Sequence, residues 1–241
     1  MSQAVQDMFG RIAHRYDLVN RLLSAKRDVA WRRKALSFLP QPAGVVLDLA
    51  TGTGDLGAEA LQAGLAQRVH GADFCVPMLS AGSSRRERSG PFSATAADAL
   101  SLPYADGVFD AAMIAYGWRN FDDPAAALGE LRRVLKPGGT LIILEFFRPE
   151  RLWTRLFHRL FSAVAPVMGA LFAGNGAAYA YLHRSIQGFL SVTEADHLLT
   201  QGGFGNLRWH SCFGGVSHVV AAVSAPPPQD CAPSAEDVAP C

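Results

Sequence analysis

The chain has 241 residues, 49% of them hydrophobic, with 22 Lys and Arg against 21 Asp and Glu and a formal net charge of +1. That is apolar material for one sizeable core, hence one domain, and the balanced charge supplies no global field to gather a nucleic-acid backbone, so nucleic acid is not an expected partner. Cys75, Cys212, Cys231 and Cys241 form no CxxC pair and no Cys/His metal spacing, so no metal site is expected.

Gln3, Gln6, Asp7 and Arg11 interrupt the first residues, which therefore lack the apolar run of a secretory signal, and a reducing, cytoplasmic compartment is expected. From Met1 to Leu39, apolar residues recur at helical spacing (Val5, Met8, Phe9, Ile12, then Leu18, Val19, Leu22, Leu23) until Pro40 and Pro42 close a helical N-terminal layer over residues 1–42. Strand and helix then alternate: apolar Val45 to Leu49, a Gly turn, a helix to Gly64, a strand Val69 to Ala72, and a helix from Pro77 to Arg88. A short strand Ser93 to Ala96 follows, then a strong one from Phe109 to Tyr116, a helix from Pro124 to Leu135 and a strand from Thr140 to Phe146. This order predicts five strands of an open parallel sheet.

After Pro149 the alternation stops. Residues 150–190, expected to form a helical lid inserted on the acceptor side, are rich in Leu, Phe and Trp, with Arg151, Arg155 and Arg159 spaced four apart on one helical face. The uncharged part, Leu160 to Gly174, holds Pro166 and is shorter than the roughly 20 residues that a spanning helix needs. A last helix, Thr193 to Gln201 with Thr193 and Glu194 as its starting residues, leads into two apolar runs, Leu207 to Phe213 and Val216 to Val223, expected to form a closing hairpin. Domain 1–223 thus ends in a polar, proline-rich tail, 224–241, expected to be disordered.

In open α/β sheets, ligands sit at the carboxyl ends of strands where strand order reverses, which points to the turn VLDLATGTGD, Val46 to Asp55. Gly52 and Gly54 permit a tight turn and a close backbone approach to a ligand. With Gly57 they also satisfy GxGxxG, a string that suits a dinucleotide equally well. Asp73 ends the second strand, 25 residues after Asp48, where a carboxylate accepts from ribose hydroxyls. Asp98 is placed to accept from an adenine amino group and Ala99 to offer its backbone amide.

VLDLATGTGD, Asp73, DALSLPYADGVFD and LRRVLKPGGTLIILEF resemble the successive motifs of class I S-adenosylmethionine-dependent methyltransferases. FGRIAHRYDLVNRLLS (Phe9 to Ser24), YGWRNFDD (Tyr116 to Asp123) and YAYLHRSI (Tyr179 to Ile186) are similar to the ubiquinone/menaquinone biosynthesis C-methyltransferase family, over about Val5 to Val223. The resemblance implies an α/β, Rossmann-like fold: a seven-stranded, mostly parallel sheet with a C-terminal antiparallel hairpin and helices on both faces. It implies S-adenosylmethionine as cofactor, S-adenosylhomocysteine as product and no metal. The expected cofactor residues are Asp48, Ala50, Gly52, Thr53, Gly54, Asp73, Asp98, Ala99 and Ala115. Several depart from the family pattern: Ala50 stands for the commoner glycine, Asp98 for Asn, Ala115 for a serine. Trp118 replaces an aliphatic residue and is expected near the acceptor pocket.

The implied reaction methylates a ring carbon of a demethylated quinol, either a demethylmenaquinol or a ubiquinol precursor. Removing a phenolic proton enriches such a carbon, so a base or charge stabiliser is expected near the phenol oxygen. Arg119, Asn120, Tyr16 and Asp17 are the expected catalytic residues, with Asn20 a further candidate. Arg119, permanently cationic, would stabilise the phenolate or orient a water, and Asp17 or a water between Tyr16 and Arg119 would take the proton. His183 and Arg184 are expected on the acceptor side as surface or packing residues. A lipid acceptor would bring the Arg-flanked stretch from Leu152 to Phe172 to the inner face of a membrane as a peripheral contact, and a homodimer is the self-association left open. A related methyltransferase of secondary metabolism is the alternative, favoured by Ala115 and Trp118. A nicotinamide-dependent reductase would commonly need a Tyr-x-x-x-Lys pair, which none of Lys26, Lys34 and Lys136 completes. Intact Asp73 and Arg119 speak against a non-catalytic cofactor-binding protein.

Overall fold

Strands β1 (Ala43–Leu49), β2 (Ala66–Asp73), β3 (Phe92–Ala96), β4 (Phe109–Ala115) and β5 (Leu135–Glu145) run parallel, and β6 (Phe204–Cys212) and β7 (Ser217–Ser224) complete the sheet antiparallel. The computed structural model describes residues 3–13, 21, 24, 26–160 and 176–225, with side chains excepted at 3, 4, 12 and 176–180. The sheet order β3-β2-β1-β4-β5-β7-β6 reverses between β1 and β4, which puts the crevice at their carboxyl ends. The expected seven-stranded sheet with its antiparallel hairpin is the one observed.

The helices are α1 (Gln3–Ile12), α2 (Arg27–Leu36), α3 (Asp55–Gln62), α4 (Val76–Ala81), α5 (Ser83–Ser89), α6 (Pro124–Val134), α7 (152–160), α8 (Gly176–Gln187) and α9 (Val192–Gln201). Successive strand residues point to opposite faces, so the sheet divides its apolar residues between two cores. Val46, Met113, Ile142 and Ala221 pack with Trp31, Leu36 and Leu56 of α2 and α3. Leu47, Ile114, Ile143 and Ala222 pack with Leu128, Leu131 and Leu199 of α6 and α9. Cover on both faces is why the parallel strands read as continuous apolar runs.

Most strand ends shift by one to three residues from expectation, and four differences have a local cause. The helix expected from Pro77 to Arg88 is two helices, broken at Gly82, where a Cβ would lie 2.2 Å from the Thr53 carbonyl oxygen. β5 starts at Leu135 rather than Thr140, through Gly138 at φ +77 and a register shift opposite Phe109. α9 starts earlier because Ser191, not Thr193, is its cap, in a reciprocal capping box with Glu194. Phe213 lies in the turn joining β6 to β7 rather than in a strand. Residues 226–241, which hold almost all of the expected tail, fall outside the described residues, as do 161–175 of the expected lid.

Candidate active site

At the switch point the chain leaves both flanking strands in the left-handed region: Ala50 after β1 has φ 56 and Tyr116 after β4 has φ 59. A residue with a Cβ is strained there by about 1–2 kcal/mol, so the surroundings must over-determine the bend. They do. Tyr116 N–H donates to Leu144 O at 2.8 Å, and its ring stacks on Phe146 at 4.6 Å. Gly117 makes room for Ala50: a Cβ on Gly117 would come within 2.3 Å of the Ala50 methyl. The departure from the commoner glycine at position 50 is thus absorbed by a glycine 67 positions later.

The turn itself is braced from within. Asp48, 1% exposed, accepts from Thr51 Oγ1 at 2.6 Å and from Gly57 N–H at 3.1 Å, and burial pushes its carboxyl up to about 7. Gly52 and Gly54 take φ 55 and 86, and Gly54 starts α3. Asp73 accepts from Gly52 N–H at 2.7 Å on one oxygen and Cys75 N–H at 2.8 Å on the other. Burial raises its pKa against those two bonds. Each carboxylate oxygen keeps a second lone pair for a ligand.

A cleft open to solvent lies over these groups, lined by Leu49, Ala50, Asp73, Phe74, Asp98, Ala99, Leu100, Phe121 and Asp122. The structure therefore brings together four of the expected cofactor residues: Ala50, Asp73, Asp98 and Ala99. Asp98 accepts from Leu100 N–H at 3.0 Å, which shapes the loop after β3. Asp48, Gly52 and Gly54 act from beneath the cleft as the frame of the turn. Thr53 is buried, its carbonyl turned to Arg85 Nη1 at 3.1 Å, and Ala115 packs with the core on the α2 side; neither lines the cleft. α1 closes one rim, with Gln6 Nε2 donating to Phe74 O at 3.1 Å and Phe9 packed near Cys75 and Met78.

On the other side of the switch point, Trp118–Asn120 form a single 3₁₀ turn. The Arg119 side chain is 5% exposed and forms an ion pair, through Nη1, with the fully buried Glu145 Oε1 at the end of β5. The same Nη1 donates to Tyr116 O at 2.7 Å, Nε donates to Ser185 Oγ at 3.3 Å, and the Arg119 backbone N–H donates to Glu145 Oε2 at 3.2 Å. Asn120 Oδ1 accepts from Tyr181 Oη at 2.9 Å. Tyr181 and Ser185, one turn apart on α8, thus fasten the lid helix to the catalytic candidates.

Trp118, expected near the acceptor pocket, does not line the cleft. It is fully buried between Phe147 and Phe189, at centroid distances of 6.3 and 5.5 Å, on a different side of the 3₁₀ turn from Arg119 because successive side chains are about 120° apart. Tyr16, Asp17 and Asn20 fall outside the described residues. Among the described residues no group of three or more His, Cys, Asp or Glu is placed to hold a metal. Phe74, Leu100, Phe121, Asp122, Glu145, Tyr181 and Ser185 were not singled out in the sequence. For Glu145 the signal was present, an acid at the end of the apolar run LIILE; the cleft residues carry none without the fold.

The profile of the ubiE/COQ5 methyltransferase family matches residues 1–224. The chain belongs to that family. It is an S-adenosylmethionine-dependent methyltransferase. The demethylmenaquinone methyltransferase of Thermus thermophilus is 43% identical over 215 residues, covering 88% of this chain and 97% of the relative. The ubiquinone/menaquinone biosynthesis C-methyltransferase UbiE of Geotalea uraniireducens is 40% identical over 224 residues, covering 90% and 94%. Among solved structures, an S-adenosylmethionine-dependent methyltransferase of Thermotoga maritima has a TM-score of 0.67 at 20% identity, covering 91% of this chain and 99% of its own. The cyclase SpnF has a TM-score of 0.68 at 15% identity, covering 93% and 96%. Identities that low carry the fold alone, and a cyclase among them shows that other chemistry is grafted on it.

Proposed function

We propose that this methyltransferase transfers a methyl group to a ring carbon of a demethylated quinol, a demethylmenaquinol or ubiquinol precursor, drawn from a membrane on its cytoplasmic side. The observation that carries the reading is the pairing, across one switch point, of an acid-lined cleft with a buried Arg119–Glu145 couple held by the lid helix. The cleft fits the cofactor chemically: Asp73 for ribose hydroxyls, Asp98 and the Ala99 amide for an adenine edge, Phe74 and Leu100 as apolar flanks. S-adenosylmethionine, when bound, supplies an electrophilic methyl on a sulfonium.

The chain's own groups then have two tasks. The frame from Asp48 to Asp73 fixes the cleft, and the 3₁₀ turn fixes the acceptor oxygen, so that a near-attack geometry is set by two strand ends. Arg119 is not a bare cation in this arrangement. Glu145 neutralises the pair as a whole, while Nη1 and Nε are committed to Glu145, Tyr116 and Ser185. The hydrogens on Nη2 are the ones left to orient a phenolate or a water, a directional role more than a long-range electrostatic one. Asp17, or a water between Tyr16 and Arg119, remains the proposed proton acceptor. No helix of the described residues is long and apolar enough to cross a membrane, so contact with a lipid surface would be peripheral.

Calorimetry with S-adenosylmethionine against NADH, followed by labelled methyl transfer to demethylated naphthoquinol and benzoquinol, tests the proposal. Binding of S-adenosylmethionine with transfer to one of the two quinols is expected. Binding without transfer to either would leave the cofactor half standing and move the acceptor to another small-molecule class.

A further inference from the structure

Helix α7 is turned inside out. Its buried residues are Thr154 and His158, 2% and 3% exposed, whereas Leu152, Leu156 and Leu160 stand 82%, 63% and 66% exposed. At 3.6 residues per turn the leucine stripe lies on the side opposite the buried pair, the reverse of a helix that packs its apolar stripe on a core. Trp153, half exposed, and Phe213 in the β6–β7 turn extend the apolar surface, with ring centroids 6.5 Å apart and Phe157 5.8 Å from Phe213. The flank of the stripe is basic. Arg151, Arg155 and Arg159 are exposed along it, and the Arg27 guanidinium covers the Phe213 ring at 4.1 Å. Residues 151–160 hold three arginines and no acid, in a chain whose net charge is only +1.

We propose that this face, with the Leu152–Leu156–Leu160 stripe at its centre and Arg155 and Arg159 along its edge, docks the enzyme in the plane of an anionic lipid bilayer. With an exposed leucine stripe flanked by arginines, residues 152–160 fit a helix lying in the plane of the interface, its leucines among acyl chains and its guanidiniums at headgroup phosphates. Charge separates this occupant from a second copy of the chain. An antiparallel two-fold contact through α7 would set each arginine row close to its own copy, with no carboxylate in 151–160 to answer it, whereas lipid phosphates answer it directly. The proposal rests on the lipid-acceptor reading for its purpose, but its test does not.

Full-length protein is sedimented with vesicles of phosphatidylcholine mixed with phosphatidylglycerol and with phosphatidylcholine alone. Retention on the anionic vesicles, weakened by salt, is expected. Arg155→Glu and Arg159→Glu should each weaken it about fivefold or more, and the double variant Leu152→Ser, Leu156→Ser about tenfold or more. Both sets should keep wild-type turnover of a water-soluble, short-tailed quinol. Absence of retention, or variants retained as well as wild type, overturns the proposal. So does a fall in melting temperature or in oligomeric mass for the leucine variant, since either would show that the chain itself or a second copy covers the stripe. Vesicle binding intact with no transfer to any quinol would remove the acceptor reading and leave the docking surface standing.

Discussion

The two sides of the switch point are built by opposite means. On the cofactor side, the groups that define the cleft are mostly backbone amides and short side chains of one turn, and the decisive bonds, Asp48 to Thr51 and Gly57 and Asp73 to Gly52 and Cys75, close within a βαβ unit. On the acceptor side, three elements distant in sequence converge: Arg119 meets Glu145 26 residues on and Ser185 66 residues on, and Asn120 meets Tyr181 61 residues on. A site made of one turn is held by local conformation and tolerates change around it. A site made of long-range polar pairs in a buried place stands or falls as a set. The cofactor side should therefore fail by losing affinity, and the acceptor side by losing order and turnover while still binding cofactor.

The largest break is Glu145→Ala. It leaves the Arg119 guanidinium, 5% exposed, without its counter-charge, and removing one partner of a buried pair costs about 3–5 kcal/mol. Differential scanning calorimetry should show a melting temperature lower by about 10 °C and methyl-transfer assays a loss of turnover, with S-adenosylmethionine affinity close to wild type wherever the protein is folded. A parallel collapse of cofactor affinity would mean that the two sides are one unit. Asp73→Ala makes the converse break. It removes the acceptor of the Gly52 and Cys75 amides and the proposed ribose ligand, and should weaken the cofactor by about 1.5–3 kcal/mol in calorimetry without disturbing the Arg119 network.

These two variants also mark what could be read from the sequence. The alternation of apolar runs and helices predicts the sheet because each strand is covered on both faces, and the turn from Val46 to Asp55 is visible because its constraint is local: glycines at φ 55 and 86. Asp73 is visible for the same reason, at a fixed interval within one βαβ unit. Trp118 is where neighbourhood in sequence misleads, since it adjoins Arg119 yet points into the core with Phe147 and Phe189. Glu145, Tyr181 and Ser185 have no local signature tying them to Arg119, and nothing short of the packing of β5 and α8 against the 3₁₀ turn could connect them. The inverted α7 was half visible: the arginine spacing showed, but the burial of Thr154 and His158 did not.

Between the two sides lie tests of the frame. Gly82→Ala would drive a methyl against the Thr53 carbonyl, 2.2 Å away, and neither backbone can yield cheaply. An overpacking cost of about 1–3 kcal/mol, divided between stability and cofactor affinity, is expected in thermal melts and calorimetry. An unchanged affinity would show that the Thr53 segment does not shape the cleft. Asp48→Asn probes the same turn through pH. The folded carboxyl titrates near 7 against an ordinary 3.8, so its protonated form is favoured by folding. Its stabilising contribution is complete below 3.8 and is lost as pH rises through about 7. The wild-type melting temperature should therefore carry a decline across that window that the Asn variant, which still offers Thr51 an acceptor, lacks. If the two profiles run parallel, Asp48 is ionised throughout the window.

The smallest effect is the most discriminating. Tyr181→Phe deletes one hydroxyl and with it one hydrogen bond to Asn120, worth about 0.5–1.5 kcal/mol. The ring stays, and with it the edge contact to Phe9 at 6.4 Å, so stability should change little. Because Asn120 accepts this bond beside Arg119, its loss should loosen the 3₁₀ turn where the acceptor is oriented, lowering turnover about two- to tenfold with cofactor affinity unchanged. Cofactor affinity falling in step with turnover would instead place Tyr181 in the service of the cleft, where α1 meets it through Phe9, and the boundary between the two sides would have to be drawn through α8 rather than at the end of β4.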